Sequence, residues 1–220
     1  MITPPVSFTV AVEVAATVTS ALSGMITAAQ KKLDIVGTAS LALVTAFAGG
    51  TIRDLLIDRR PFFWDSRWEY VPVIIGMTLA FVYSARFHRV AQLLHRRAVF
   101  IDALGLGMFS LTGLSYGLAA NLSPFVAVLI GVLTGTGGGV VRDTLVHETP
   151  LIFRPGGRLY ALAAFVGCWV TLGVAWLGAS HFASGATGFI TIVALRMLSI
   201  RYGVSAPDPL WLREREGPDA

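Results

Sequence analysis

The chain has 220 residues, of which 55% are hydrophobic and only 14% are charged. Soluble domains carry roughly 25% charged residues, so this composition excludes a soluble domain and is typical of an integral membrane protein. The 17 Lys and Arg exceed the 13 Asp and Glu, but this does not call for a nucleic-acid partner, because polytopic membrane proteins collect positive charge in their cytoplasmic loops.

Apolar segments of similar length follow one another along the chain. About 20 apolar residues cross a bilayer as a helix, and charged or turn-forming residues separate the segments. We therefore predict an all-α membrane protein with seven transmembrane helices, at residues 8–29, 35–57, 70–87, 99–120, 124–146, 159–178 and 182–200. Residues 202–220 are rich in Pro and charge and are expected to form a disordered cytoplasmic tail.

The chain repeats itself with an offset of 89 residues. The stretch at 44–54, Val-Thr-Ala-Phe-Ala-Gly-Gly-Thr-Ile-Arg-Asp, recurs at 133–143 as Leu-Thr-Gly-Thr-Gly-Gly-Gly-Val-Val-Arg-Asp. A repeat of this kind decides how the rest of the chain is divided. We predict a first three-helix repeat at 8–86, a second at 97–178 and a seventh helix at 182–201. An odd number of helices per repeat implies that the second repeat is inverted, as in many transporters.

Basic residues predict the orientation in the membrane. Arg59, Arg60 and Arg67 are the basic residues of the loops on one side, whereas Lys31, Lys32 and the other loop arginines lie on the opposite side. Because cytoplasmic loops hold the excess, we expect an inner-membrane protein with its N-terminus outside and its C-terminus in the cytoplasm.

Glycine runs interrupt the second and fifth predicted helices, at Gly49-Gly50 and at Gly137-Gly138-Gly139. Each glycine costs a helix about 1 kcal/mol relative to alanine, so the runs are expected to mark kinks or local unwinding. Irregular backbone at membrane depth is tolerated where it faces protein or a water-filled cavity, which favours a permeation route at these positions. Close packing of helices through small residues is the alternative.

Charged residues follow both glycine runs. Arg53 and Arg142 lie inside the membrane, where charge is rare and usually functional. Adjacent helical residues point about 100° apart, so Arg53 and Asp54 are not expected to face one partner. We predict that Arg53 pairs with Glu13, and that Arg142 pairs with Asp102 at the equivalent depth of the second repeat.

Two roles are open for these charges. The pairs could open and close a route at each end of a constriction lined by Thr45 and Thr134, while unpaired Asp54 and Asp143 attract cations. The pairs could instead only hold helices together. A further arginine, Arg196 near the inner end of the seventh helix, is expected to extend its side chain to the membrane interface.

Metal, cofactor and enzyme chemistry have little support. Cys168 is the only cysteine, and the four histidines are too scattered to suggest a metal site. The chain has no His-Glu-x-x-His motif, and its one Gly-x-Ser-x-Gly stretch, at 113–117, lies inside a predicted helix instead of at the strand-to-helix turn that a nucleophilic serine requires. We expect no metal, no cofactor and no catalytic residue.

The seven spans and the two Gly-Gly-x-x-Arg-Asp motifs, at 49–54 and 138–143, resemble the prokaryotic branch of the trimeric intracellular cation (TRIC) channels, a family that overlaps with one named for glycine transport. The resemblance covers nearly the whole chain. It implies a homotrimer in membrane lipid, with a pore inside each subunit framed by kinked second and fifth helices and with Arg53 and Arg142 beside it. Ala48 stands where the family has a third glycine, which implies a gentler first kink.

Two functions remain open from the sequence. The resemblance implies a channel for monovalent cations, potassium and also sodium. Inverted repeats with broken helices fit a secondary transporter of a small solute such as glycine equally well, because the ends of half-helices can hold either an ion or a carboxylate.

Overall fold

The computed structural model describes residues 6–64, 67–84, 98–154 and 159–205. These residues form seven α-helices and a 3-10 helix, which confirms the predicted all-α fold. The helices are α1 Val6–Gln30, α2 Ile35–Leu56, α3 Tyr70–Tyr83, α4 Ala98–Ala119, α5 Pro124–Leu145, α6 Tyr160–Trp176 and α7 His181–Tyr202, with the 3-10 helix at Leu151–Phe153. The predicted tail beyond 205 and the whole basic stretch at 86–97 lie outside the described residues.

Five of the seven helices, α1, α2, α4, α5 and α7, are long and apolar enough to cross a membrane. The other two are shorter apolar helices, of 14 residues in α3 and 17 in α6. At 1.5 Å per residue α3 extends about 21 Å, less than the roughly 30 Å of a bilayer's hydrocarbon core. The five long helices establish the membrane character of the chain. That α3 and α6 also cross the membrane completely stays a prediction.

Polar caps determine where several helices begin. The Asp34 carboxylate accepts a hydrogen bond from Gly37 N at 2.7 Å, and the Ser180 hydroxyl accepts one from Ala183 N at 3.2 Å. Ser123 caps α5 in the same way, and Pro124 follows it in the first turn. These caps satisfy amide groups that the helix itself leaves without a partner. Gly203, with φ of 67°, ends α7 in the left-handed conformation that glycine adopts readily.

The turns after the helices recur at the repeat offset. Lys32 after α1 and Asn121 after α4 have φ of 55° and 57°, and Asp58 after α2 and His147 after α5 have φ of 55° and 58°. Each pair is 89 residues apart. The internal repeat in the sequence thus has a counterpart in backbone conformation.

Helices from the two predicted repeats pack against one another. Helix α1 contacts α2 and α4, α2 contacts α5, and α4 contacts α5 and α7. One apolar core joins α1, α2 and α3 around Met25, Phe47 and Ile74. A second core lies where Leu114, Val128 and their neighbours join α4, α5 and α6. Helix α2 contributes to the first core and α5 to the second, and the contact between these two helices places the glycine motifs side by side.

Helices α2 and α5 are continuous through their glycine runs. The expectation of local unwinding is therefore wrong for this structure, and the glycine carbonyls are not released from the helices. The kinks remain a prediction. Packing between the two helices supplies the physical reason for the glycines, as the site geometry shows.

Candidate functional site

The glycine runs bring α2 and α5 into backbone contact. A methyl group added at Gly49 would overlap the carbonyl oxygen of Thr134, and one added at Gly138 would overlap that of Thr45. A methyl group at Gly137 would lie 3.1 Å from the Cα atom of Gly49. Because glycine has no side chain, the two helix backbones can approach each other this closely, as they do where membrane helices cross at small residues. The crossing is reciprocal: the two glycines are 89 residues apart, as are the two threonines, so each repeat supplies one glycine and one threonine carbonyl.

Two further motif glycines make room for aromatic side chains. A methyl group at Gly50 would lie 2.6 Å from the ring of Phe62, and one at Gly139 would lie 2.8 Å from the Tyr160 hydroxyl. The packing alternative left open by the sequence therefore accounts for all five glycines in this conformation.

Thr45 and Thr134 are buried at the crossing. Their hydroxyls donate to the carbonyls of Leu41 at 2.5 Å and Ile130 at 2.6 Å, each one turn earlier in the same helix. Because both protons are used within the helices, the remaining hydroxyl lone pairs can only accept hydrogen bonds or approach a cation.

Arg53, Glu13 and Asp54 form what we call the first network. Arg53 Nη2 donates to Glu13 Oε1 at 3.0 Å, and Arg53 Nε donates to Asp54 Oδ1 at 2.8 Å. The Arg53 and Asp54 side chains are completely buried, and that of Glu13 is 2% exposed. The structure thus brings together the predicted pair and shields it from solvent.

Arg142, Asp102 and Asp143 form the second network. Arg142 Nη1 donates to Asp102 Oδ1 at 2.9 Å and to the Ser23 hydroxyl at 2.6 Å, while Nε donates to Asp143 Oδ1 at 2.8 Å. The side chains of Arg142 and Asp102 are 7% and 10% exposed. This pair is also present as predicted, but it is less completely buried than the first.

The expectation that Asp54 and Asp143 are unpaired is wrong. Each carboxylate binds the arginine that precedes it, because the long arginine side chain can fold back although adjacent Cβ atoms diverge. The second carboxylate oxygen holds the following loop, accepting from Phe62 N at 2.9 Å in one repeat and from Leu151 N at 3.4 Å in the other. Neither aspartate is free to attract a passing cation in this conformation.

Aromatic and basic side chains missed by the sequence reasoning complete the first network. Tyr116 of α4 lies beside Arg53, whose Cζ atom is 4.1 Å from the ring centroid, and Arg59 Cζ is 4.5 Å from the same centroid. The Tyr116 hydroxyl donates to Glu13 Oε2 at 3.4 Å. No periodicity marks Tyr116 or Arg59, since only the meeting of α4 with the end of α2 makes them neighbours.

Arg196 does not extend to the membrane interface as expected. It is 2% exposed, and its Cζ atom lies 4.7 Å from the ring centroid of Tyr160. A charged side chain near the inner end of a membrane helix suggests an interfacial position, whereas packing of α7 on α6 buries this one.

A polar cavity of about 10 Å³ borders the second network. Its walls include six oxygen-bearing side chains, namely Ser20, Ser23, Thr45, Asp102, Thr134 and Tyr160. Asp102 Oδ2 is buried and has no hydrogen-bond partner among the described residues. A space of this size holds about one water molecule, so the crossing is nearly closed.

A much larger cavity, of about 300 Å³, lies between α4, α6 and α7. Apolar side chains such as Leu111, Leu172 and Phe189 form most of its lining, which contains no Asp, Glu, Lys or Arg among the described residues. An ion would lose its hydration there without compensation. The smaller polar cavity is therefore the one relevant to ions.

Within the described ranges, no three His, Cys, Asp or Glu side chains come close enough together to hold a metal ion. Cys168 is buried, and its sulfur lies 3.8 Å from the carbonyl oxygen of Ser110. The charged residues are engaged with one another rather than arranged around a reactive group.

Comparison with known families gives a match to the model described as "Glycine transporter", at residues 10–86 and again at 99–176. The two matches begin 89 residues apart, which is the offset of the motif repeat. The chain is also 30% identical to the "UPF0126 inner membrane protein YadS" of Escherichia coli, over 89% of this chain and 93% of that protein. It is 34% identical to a "UPF0126 membrane protein" of Deinococcus radiodurans, with 85% of each chain covered.

Solved structures give a second set of similarities. The TRIC trimeric intracellular cation channel orthologue from Rhodobacter sphaeroides superposes with a TM-score of 0.81 at 30% identity, covering 90% of this chain and 100% of that one. A second solved structure, described under "Structural basis for conductance through TRIC cation channels", gives a TM-score of 0.75 at 30% identity. The match covers 90% of this chain and 95% of that one. These neighbours are described as channels, and the relatives' names include no enzymatic activity.

Proposed function

We propose that this chain, which belongs to the glycine transporter family, is a monovalent cation channel of the inner membrane. The proposed channel conducts potassium and sodium. The observation on which this depends is the match, over 90% of the chain, to structures described as cation channels. The solved structures that this chain resembles thus favour conduction, although the family is named for transport.

The pore in this proposal runs inside each subunit, along the crossing of α2 and α5. Support comes from the two charge networks beside the crossing, each with two carboxylates for one guanidinium. This excess of negative charge favours cations over anions. The hydroxyl oxygen atoms of Thr45 and Thr134 can coordinate a cation as it passes. Because the polar cavity holds about one water, conduction requires α2 and α5 to separate from the conformation described.

We further propose a homotrimer surrounded by lipid, with the two repeats inverted and with the N-terminus outside and the C-terminus in the cytoplasm. The related structure from Rhodobacter sphaeroides is described as trimeric, and the E. coli relative is named an inner membrane protein. The recurrence of turns and ion pairs at one offset supports two equivalent units.

Transport of a small solute such as glycine is the second candidate, which the name of the family model favours. The polar cavity of about 10 Å³ has room for a water or a bare ion but not for an amino acid. A transporter would need an open state with a much larger binding space at the same crossing.

Reconstitution separates the two functions. The purified protein in a planar bilayer with a KCl gradient is expected to give single-channel currents that reverse near the potassium equilibrium potential. Proteoliposomes are tested in parallel for uptake of labelled glycine, with protein-free liposomes as the control. Saturable glycine uptake together with silent electrical recordings would reject the channel in favour of the transporter.

A further inference from the structure

We propose that Tyr116 and Arg59 form a lid over the first network and control the access of cations from that end of the molecule. In the orientation predicted from the basic residues, this is the outer end. The inference rests on the proposed function for the identity of the permeating ion, whereas its test measures access to the buried site and needs no current.

The Tyr116 ring contacts one exposed and one buried arginine. Arg59 is exposed and Arg53 is completely buried, yet the Cζ atoms of both lie within 4.5 Å of the centroid of the Tyr116 ring. Tyr116 itself is half-buried. Because Tyr116 also contacts Glu13, the proposed lid requires a cation that approaches Glu13 from this end to displace the ring, the Arg59 guanidinium, or both.

The Arg-Asp motif places Arg59 on the ring. The amide of Arg59 donates to the Asp54 carbonyl at 2.8 Å, and the Asp54 carboxylate accepts from Phe62 N at 2.9 Å. These two bonds hold the loop that follows α2 against the helix end. The residue that anchors Arg53 thus also positions the basic side chain of the lid.

The contacts of the lid are individually weak, as a movable barrier requires. Interaction of an exposed guanidinium with an aromatic face is a modest attraction. The hydrogen bond from Tyr116 to Glu13, at 3.4 Å, is long for an O–H···O bond. By contrast, the buried ion pair behind the ring has distances of 2.8 and 3.0 Å.

At the two repeat-related positions that are equivalent to Arg59 and Tyr116, the described residues form no such contact. The position 89 residues after Arg59 is Glu148, which binds Lys31 at 2.6 Å and Arg154 at 2.7 Å rather than an aromatic ring. The position 89 residues before Tyr116 is Thr27, whose hydroxyl donates to the Ser23 carbonyl of its own helix. The contact between Tyr116 and Arg59 is therefore particular to the first network among the repeat-related positions, and access is expected to differ between the two sides.

A buried thiol can report the state of the lid. Thr17 lies one helical turn from Glu13, is 2% exposed and donates to the Glu13 carbonyl. Thr17→Cys in a Cys168→Ala background carries a single thiol, since Cys168 is the only native cysteine. The purified full-length protein is treated with a cationic methanethiosulfonate, and its rate of modification is followed by mass spectrometry.

Tyr116→Ala in this background is expected to raise the modification rate about tenfold, and Arg59→Ala by roughly threefold, because each removes part of the cation–aromatic barrier. Tyr116→Phe retains the ring and is expected to stay within about twofold of the parent. Trp64→Ala is the matched control, since Trp64 is an exposed aromatic of the same loop, and no change is expected.

Several results would overturn the lid. Unchanged rates in both alanine variants would show that the ring does not limit access. An equal rise in Trp64→Ala would show general loosening of the loop, and an equal rise in Tyr116→Phe would assign the barrier to the hydroxyl instead of the ring. If Tyr116→Ala does not assemble, Arg59→Ala decides the outcome, because that side chain is on the surface.

Discussion

The two charge networks have the same plan but different surroundings. In both, an arginine binds the next residue's carboxylate and a second carboxylate 40 residues earlier. The first network is sealed by aromatic rings and leaves Arg53 Nη1 without a hydrogen-bond acceptor among the described residues, whereas the second borders a polar cavity and leaves Asp102 Oδ2 without a donor. The ion pairs are thus the same in both repeats, but the surrounding helices differ. As a result, within the described part of the chain, the first network has an unpaired donor and the second has an unpaired acceptor.

Removal of the arginines should break this comparison most strongly. Arg53→Ala leaves Glu13 and Asp54 buried without a counter-charge and is expected to cost about 3–5 kcal/mol of unfolding free energy. Arg142→Ala is expected to cost less, because its partners lie beside a cavity with room for a water. Thermal unfolding in detergent measures both, with the exposed Arg201→Ala as the control. Equal losses would show that the difference in burial has no energetic consequence.

The glycine crossing should respond equally from both sides. Gly49→Ala and Gly138→Ala each place a methyl group on a carbonyl oxygen of the facing helix, and overpacking of this kind costs about 1–3 kcal/mol. Gly76→Ala is the control, since nothing lies within 4 Å of its added methyl group. The same unfolding measurement applies. A large effect at only one glycine would contradict the reciprocal crossing.

Neutralising one carboxylate in each network sharpens the difference in hydrogen bonding. Glu13→Gln disturbs an acceptor that receives bonds from both Arg53 and Tyr116, and hydrogen bonds to charged groups contribute about 1.5–3 kcal/mol. Asp102→Asn is expected to cost less, because Oδ2 has no donor to lose. Stability and the reversal potential in a KCl gradient are measured together. Both variants should conduct cations less selectively, and unchanged selectivity in both would contradict a role for the networks at the pore.

The smallest expected effect is on the pH dependence of stability, and it arises at Glu148, at the end of the molecule that holds the second network. Hydrogen bonds from Lys31, and secondarily from Arg154, lower the pKa of Glu148 below its ordinary value. A lowered carboxyl pKa stabilises the folded state above the unfolded pKa, and this contribution is lost as the pH falls through the folded pKa. The groups are largely exposed, so the contribution is at most about 1 kcal/mol.

Unfolding midpoints between neutral pH and about pH 3, below the ordinary carboxyl pKa, would measure this contribution to stability as a difference between the parent and Glu148→Gln. The two curves should converge at the acidic end. Parallel curves across the range would show that the interaction of Glu148 with Lys31 adds nothing to stability.

Much of the fold and part of the site were predictable because they depend on local patterns. Apolar segment lengths predicted seven helices, and the 89-residue repeat matched Glu13 with Asp102 and Arg53 with Arg142 at similar depths. Both ion pairs are present in the structure, while the assignment of their residues to a pore remains a prediction. Side-chain reach was misjudged: the 100° between neighbours wrongly separated Arg53 from Asp54, because a long guanidinium side chain can turn back along its own helix.

The sequence by itself determined the membrane character, the duplicated plan and the choice of glycine at the crossing, since hydropathy, repetition and missing side chains can be read residue by residue. Only the tertiary structure decided that the glycines pack two unbroken helices, that Arg196 is buried against Tyr160, and that Tyr116 contacts both Arg53 and Arg59. These features depend on which faces of distant helices meet. Contacts of that kind arise from packing in three dimensions and leave no period or spacing along the chain.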